Sequence, residues 1–300
     1  MASNRGFLEI EREERELDPV EERVIRWTEF THPLTEAAAR RQAGRCMDCG
    51  TPFCAYACPL HNMAPELNAL VRQGRWKEAW QQLSGTNNFP EFTSRVCPAL
   101  CEGSCTLGFV KDASVSIQAI ENAIAERAWS EGWVQPLMAD RKTGKTVAVI
   151  GSGPAGLACA QQLARVGHDV TVYEKNEKPG GLLRYGIPDF KLSKAVLDRR
   201  IEQMQAEGVK FVTGTAVGPN KFASGVCSRA KKVIDAGKIL KGFDAVVLCG
   251  GSEEPRDIKI PGRELKGVHF ALELLQACNR EQAREGASEI NVKARDVIVI

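Results

Sequence analysis

The sequence predicts a fold in two parts, a helical N-terminal half followed by a doubly wound α/β half. Three observations carry that expectation. Residues 1 to about 140 repeat apolar positions at three- and four-residue spacing with little strand pattern. A polar stretch, Ala139 to Lys145, then interrupts the chain, and beyond it short β-branched runs alternate with amphipathic ones. A length of 300 residues suits two domains of ordinary size, and 43% apolar residues suffice for their cores.

In the first half the spacing predicts helix from Leu17 to Phe30, from Pro65 to Leu83 (Leu67, Leu70, Val71, Trp76, Trp80 and Leu83 on one face), and from Ser116 to Trp129 (Ile117, Ile120, Ile124 and Ala128). Cysteine-rich loops separate them. In the second half we expect strand at Thr146 to Ile150, helix at Ala155 to Val166, strand at Asp169 to Glu174, helix at Lys194 to Glu207, and strands at Lys210 to Thr213 and Phe243 to Cys249. Such alternation argues for a sheet that is parallel in its central strands. The expected domains are 1–140, helical; 141–290, α/β; and 291–300, the first strand of a further, incomplete domain.

Charge and composition narrow the function. With 40 Lys+Arg against 38 Asp+Glu, a net charge of +2 offers no field to recruit nucleic acid or an acidic membrane. MASNRGFLEIEREERE is too charged for a signal peptide, and no apolar run approaches the about 18 residues of a membrane span. We therefore expect a soluble, cytoplasmic protein. In a reducing compartment, 11 cysteines argue for metal or redox chemistry over a disulfide framework.

Seven of these cysteines fall within the first 105 residues, as Cys46-x2-Cys49-x4-Cys54-x3-Cys58-Pro59 and Cys97-Pro98-x2-Cys101-x3-Cys105. Cys159, Cys227, Cys249 and Cys278 are scattered, three of them in apolar or helical contexts where they read as ordinary small buried thiols. Short spacings let one loop wrap three corners of a cubane, as in two-cluster ferredoxins. Zinc also takes Cys-x2-Cys, but in two well-separated pairs, often with His. Seven thiols with only His61 nearby divide badly into zinc tetrahedra, yet nearly fill the eight positions of two [4Fe-4S] clusters. Glu121 sits on the apolar face of its predicted helix, where an unpaired carboxylate is costly. On the residues alone, an acid at the face edge paired with a Lys or Arg is the preferred reading.

Gly151-x-Gly153-x-x-Gly156 directly follows the first predicted strand and opens a helix. Gly151 permits the tight turn, Gly153 lets the backbone approach a pyrophosphate, and Gly156 lets helix and strand pack closely. Pro154 and Ala155 open the helix, whose N-terminal amides would face the phosphates. Glu174, with Lys175 beside it, ends the next strand about 20 residues on, where an acid binds a ribose hydroxyl and disfavours a 2′-phosphate. This Rossmann-like context suits FAD or NAD better than NADP. A second glycine-rich stretch, Lys178 to Pro188 with Gly181, Leu182 and Arg184, is read either as part of the site or as a surface turn. Val246 to Gly251 runs a buried strand into Gly250-Gly251, again suited to close approach of a ligand.

The segments RCMDCGTPFC, CPLHN, TNNFPEFTSRVCPALCEGSC, VSIQAIENAIAERAWSEGW, VAVIGSGPAGLACA and GGLLRYGIPDFKL resemble the small (beta) subunit family of NADPH-dependent glutamate synthase. The same module is found in the N-terminal part of dihydropyrimidine dehydrogenase. The resemblance covers essentially the whole chain. It implies electron flow from NADPH to FAD and through iron–sulfur centres to the FMN of a large (alpha) subunit that makes glutamate from glutamine and 2-oxoglutarate. It implies that Cys46, Cys49, Cys54 and Cys105 hold one cluster, that Cys58, Cys97 and Cys101 hold the other, and that Glu121 supplies the eighth ligand. It likewise assigns Gly151, Gly153, Gly156, Glu174, Gly181, Leu182 and Arg184 to FAD.

Two departures qualify the expectation. FCAYACPLHNMAPELNAL is more apolar than usual in the family, which alters the surroundings of the clusters. Asp296 to Ile300 reads as a strand that in the family leads into an NADPH-binding loop, so most of the NADPH site is expected beyond residue 300 and the 300 residues alone are expected to be inactive toward NADPH. Two other functions stay open at this stage. One is a stand-alone or ferredoxin-linked NADPH oxidoreductase built on the same module; the other is a zinc-bound interaction module fused to a nucleotide-binding domain.

Overall fold

The computed structural model describes residues 5–110, 114–218, 230–252, 255–288, 290–292 and 295–299. Cys227 lies outside them. The chain divides into one unit formed by Met1–Gln135 with Phe190–Leu192, and a second formed by Pro136–Asp189 with Ser193–Ile300. No described helix is long and apolar enough to cross a membrane.

The first unit is helical. Its longer helices are Glu36–Ala43, Ala64–Arg72, Trp76–Thr86, Pro90–Val96 and Ile117–Ser130. Leu67, Val71, Trp76, Ala79 and Leu83 pack with Ile117, Ile120, Ile124 and Ala128 into one core. The apolar spacing thus reports the buried faces, but not where the helices stop. The expected helix over Pro65 to Leu83 is two helices, because Gly74 takes φ +79° and ends the first, while Pro65 sits in the opening turn of that first one.

The helix expected from Leu17 to Phe30 is not formed. One turn, Val20–Arg23, is helical, and Leu17 pairs in an antiparallel bridge with Thr31. Asp18 accounts for the reversal. It bonds Arg26 and, at 2.6 Å, His32, while the Asp18 amide donates to the Phe30 carbonyl and the His32 amide to Glu16. Val20, Val24 and Ile25 remain exposed, so the apolar spacing has no neighbouring face to bury against, and a short helix without one is not stable.

The second unit is an open sheet of parallel strands in the order β3-β2-β1-β6, with β1 Thr146–Ile150, β2 Asp169–Tyr173, β3 Lys210–Val212 and β6 Ala245–Leu248. The helix Pro154–Arg165 connects β1 to β2, and Lys194–Ala206 precedes β3. Two short strands, β4 Thr215–Val217 and β5 Lys232–Ile234, form a separate parallel pair. Because β2 lies on one side of β1 and β6 on the other, the strand order switches at β1. The crevice above the carboxyl ends of β1 and β6 is where open α/β sheets bind ligands. The strand expected over Asp296 to Ile300 is not found at 295–299, and residues 293, 294 and 300 lie outside the described set. No sheet neighbour is available to that segment among the described residues, so its β-branched composition has nothing to pair with.

Candidate functional site

Four thiols of the first unit surround one space. Cys46 and Cys49 sit in the loop after helix Glu36–Ala43, Cys54 lies in the short helix Phe53–Ala57, and Cys105 caps the 3-10 turn Thr106–Phe109. Together they line a cavity otherwise walled mainly by apolar groups, among them Pro52, Phe53, Leu107, Val115 and Ile117. Burial pushes the Cys54 thiol up to about 11, with the neighbouring Cys46 and Cys105 sulfurs adding to it. Burial likewise raises Cys46, and the charges of Cys49 and Cys105 act in the same direction. Neighbouring sulfurs in a mainly apolar pocket are a donor set that needs cationic metal to be stable as thiolates. Donors soften that charge: the Asn68 side chain bonds the Cys46 sulfur, and Thr106 Oγ1 lies 3.3 Å from Cys49 Sγ.

The other three cysteines form a second group. Cys58 ends the helix Phe53–Ala57, Cys97 ends Pro90–Val96, and Cys101 lies in the one-turn helix Leu100–Gly103. The Cys101 thiol is raised strongly, by burial first and then by Glu121, Glu102, Cys58 and Cys97. Cys46 and Cys54 thus feel the charges of Cys46, Cys49 and Cys105, whereas Cys101 feels those of Glu121, Glu102, Cys58 and Cys97. Glu121 is 8% exposed, and burial lifts its carboxyl to about 7. Among the described residues its one hydrogen bond comes from Asn62 Nδ2, at 2.9 Å. The Lys or Arg partner favoured from the residues alone is absent among the described residues.

Left-handed backbone marks these loops. Asp48 (φ 57°) lies between Cys46 and Cys49, His61 (φ 54°) follows Cys58, and Ala99 (φ 55°) lies between Cys97 and Cys101. A side chain in that region costs of order 1 kcal/mol, and such strain collects where a loop must converge on a ligand. The Ala99 amide points at Cys97 Sγ, 3.4 Å away. Glu102 fixes the helix that bears Glu121, accepting from the Gln118 amide at 2.8 Å and from Arg12 at 2.7 Å.

Among the described residues no three His, Cys, Asp or Glu side chains converge as one metal ion requires. A tetrahedral zinc draws its sulfurs to about 3.8 Å of one another, from zinc–sulfur bonds of about 2.3 Å. Four sulfurs lining one cavity are the donor type and number that a multi-iron cluster takes.

In the second unit, the glycine-rich turn lies at the switch point. Gly151 has φ +105°, and a Cβ there would stand 2.3 Å from the Cys249 carbonyl; one on Gly156 would stand 1.9 Å from the Gly151 carbonyl. Gly153, in contrast, faces open space, as do Gly250 and Gly251. Those three glycines leave room where a ligand backbone would lie, and Pro154 and Ala155 are exposed at the helix start beside it. Gly181 (φ +53°) approaches Gly153 so closely that a Cβ would stand 2.8 Å from its Cα, which brings the second glycine stretch against the first. It is therefore packed structure rather than a free surface turn. Leu182, next in sequence, is exposed, and Lys175 is half-buried.

Glu174 and Arg184 are placed differently from the expectation that they reach a cofactor. Glu174 is 3% exposed, and Oε1 accepts from Asn176 N at 2.8 Å and Nδ2 at 2.7 Å, while Oε2 accepts from Ser152 N at 3.1 Å and from the Ser152 hydroxyl. These bonds fill the about four acceptor positions of a carboxylate. In this arrangement no acceptor is left for a ribose. Ser152 Oγ also accepts from the Gly180 amide at 2.9 Å, so one hydroxyl joins the two glycine loops. Arg184 is buried, donating to the Pro179 carbonyl at 2.6 Å and to Asp198 at 2.5 Å.

Several residues that shape these sites give little or no sequence signal. Asn62, Thr86, Ser152 and Asn176 are short polar residues inside otherwise recognisable segments. Arg280 comes from helix Ala271–Gln282, donates to Asn176 Oδ1 at 2.9 Å and lies over the Tyr185 ring, 4.2 Å from its centroid. Nothing in the spacing of cysteines or glycines points to it.

Residues 23–133 match the family model described as dihydropyrimidine dehydrogenase domain II, 4Fe-4S cluster, and residues 145–300 match that of the pyridine nucleotide-disulphide oxidoreductases. The chain is 46% identical to the glutamate synthase [NADPH] small chain of Bacillus subtilis, with 100% of this chain and 60% of the relative covered. It is 48% identical to the small chain of Mycobacterium tuberculosis at the same coverage. The glutamate synthase [NADH] of Schizosaccharomyces pombe is 46% identical over 99% of this chain, which corresponds to 14% of that protein. The chain thus spans about 60% of the length of the small chains it matches. With more than half of its residues in the matched nucleotide-binding region, the chain belongs to the pyridine nucleotide-disulphide oxidoreductase family, in a form that carries a 4Fe-4S cluster domain ahead of that region.

Proposed function

We propose that this chain is the electron-input part of a glutamate synthase, taking electrons from NADPH through FAD and two [4Fe-4S] clusters to a large, FMN-containing chain that forms glutamate from glutamine and 2-oxoglutarate. The observation that carries the reading is the presence, in one chain, of two groups of cysteines and a glycine-lined crevice at a sheet switch point. Identity of 46–48% along the full 300 residues to chains named as small chains of that enzyme supports the choice of reaction.

Flavin, when bound, divides the two-electron hydride of NADPH into single electrons, which iron–sulfur clusters carry. The protein's part is to hold and insulate. Cys46, Cys49, Cys54 and Cys105 would hold one cluster in the apolar cavity, and Cys58, Cys97, Cys101 and Glu121 the other. Gly153, Gly250 and Gly251 leave the approach for the dinucleotide, and the amides at the start of helix Pro154–Arg165 face its phosphates. Ser152 and Glu174 lock the two glycine loops together, so their role here is to shape the crevice.

Anaerobic copurification of the full-length protein with its large chain tests the reading. Stable association and NADPH-dependent glutamate formation from glutamine and 2-oxoglutarate are expected. NADPH-dependent reduction of ferredoxin or another acceptor, with no large chain bound and no glutamate formed, would overturn it in favour of a stand-alone oxidoreductase.

A further inference from the structure

We propose that Asn62, itself held by Thr86, is the positioning residue that turns Glu121 into a one-oxygen ligand of the second cluster; this rests on Glu121 being that cluster's fourth ligand. The geometry is a short buried relay. Asn62 is 5% exposed, donates from Nδ2 to Glu121 Oε1 at 2.9 Å, and accepts at Oδ1 from the Thr86 hydroxyl at 2.7 Å. The ionised carboxylate can only accept, which sets the Nδ2 end of the amide toward Glu121 and leaves its carbonyl end to the Thr86 hydroxyl, which also lies 3.3 Å from the Leu83 carbonyl. His61, immediately before Asn62, takes φ 54°, and that left-handed turn helps carry the chain from Cys58 inward.

One Glu121 oxygen is thereby occupied, and the other accepts no hydrogen bond among the described residues. The groups around the carboxylate are Asn62 from the loop after Cys58, and Cys101 and Glu102 from helix Leu100–Gly103. None is a cation. A buried carboxylate with one oxygen hydrogen-bonded, the other without a hydrogen bond among the described residues, and its charge felt by Cys101, has the form of a metal ligand supported by an outer amide. The amide donor withdraws charge from the carboxylate and keeps it from closing on iron with both oxygens.

The consequence is electronic as well as geometric. Without the donor, Glu121 becomes a stronger base, which favours the oxidised cluster. In the holoprotein, Asn62→Leu, close in volume but without the amide, is expected to keep most of its iron. At a fixed potential it lowers the reduced-to-oxidised ratio of the second cluster about tenfold, which is about 59 mV for one electron. Thr86→Val, which frees the amide without removing it, shifts the ratio in the same direction by less. The first cluster, read by its own electron paramagnetic resonance signal, stays unchanged in both.

Glu121→Ala separates the two levels of the argument. If it alters the second cluster's spectrum while neither Asn62→Leu nor Thr86→Val shifts that cluster's potential, ligation stands and the positioning role is overturned. An unchanged spectrum in Glu121→Ala overturns the ligation reading and with it this proposal. Should Asn62→Leu lose both clusters, Thr86→Val decides: a selective shift supports the relay, and no shift contradicts it.

Discussion

Gly156→Ala abolishes flavin binding and destabilises the second unit by about 3 kcal/mol, the upper range for forcing extra volume into packed structure. The added Cβ would stand 1.9 Å from the Gly151 carbonyl oxygen and 3.3 Å from Cys249 Cβ, and backbone cannot yield as a side chain can. The turn that opens the crevice and the end of β6 would both be displaced. Gly153→Ala provides the contrast, because its Cβ meets nothing within 4 Å and its φ of −66° suits any residue. That variant keeps its thermal stability and loses flavin affinity, since the methyl fills the space a pyrophosphate needs. Thermal unfolding together with flavin titration checks both. Equal loss of stability in the two variants would show that Gly153 serves packing rather than a ligand.

Cys105→Ala halves the iron, from about eight to about four atoms per chain, and leaves the second cluster's spectrum intact. Cys105 belongs in sequence to the group of Cys97 and Cys101, yet it lines the cavity of Cys46, Cys49 and Cys54. Grouping by sequence order instead predicts loss of the second cluster. Metal analysis with electron paramagnetic resonance therefore tests the crossing of the two segments directly, and a missing second signal in Cys105→Ala would refute it.

How much of this was legible in the residues differs from part to part. The helix Ile117–Ser130 and β1 and β2 follow from periodicity because their apolar residues are buried where the pattern requires. The three glycines of the first loop were legible too, each from a distinct steric need. β4 and β5 escaped because three-residue strands carry too little pattern to stand out from a loop. The N-terminal helix failed because Val20, Val24 and Ile25 have no face to bury against, while Asp18 bonds Arg26 and His32 across the reversal. Glu121 was visible as an anomaly, an acid on an apolar face, but its partner Asn62 lies 59 positions away and no local rule connects them. Glu174 shows the opposite limit. Its position after β2 announces a cofactor contact, while the structure fills its oxygens with Ser152 and Asn176, and only the folded loops reveal that competition.

The central claim is that seven cysteines and one glutamate hold two iron–sulfur clusters. Iron, acid-labile sulfide and zinc measured together on anaerobically purified protein test it most directly. About eight iron and about eight sulfide per chain are expected, with zinc only at trace level. One or two zinc atoms per chain without sulfide would contradict it.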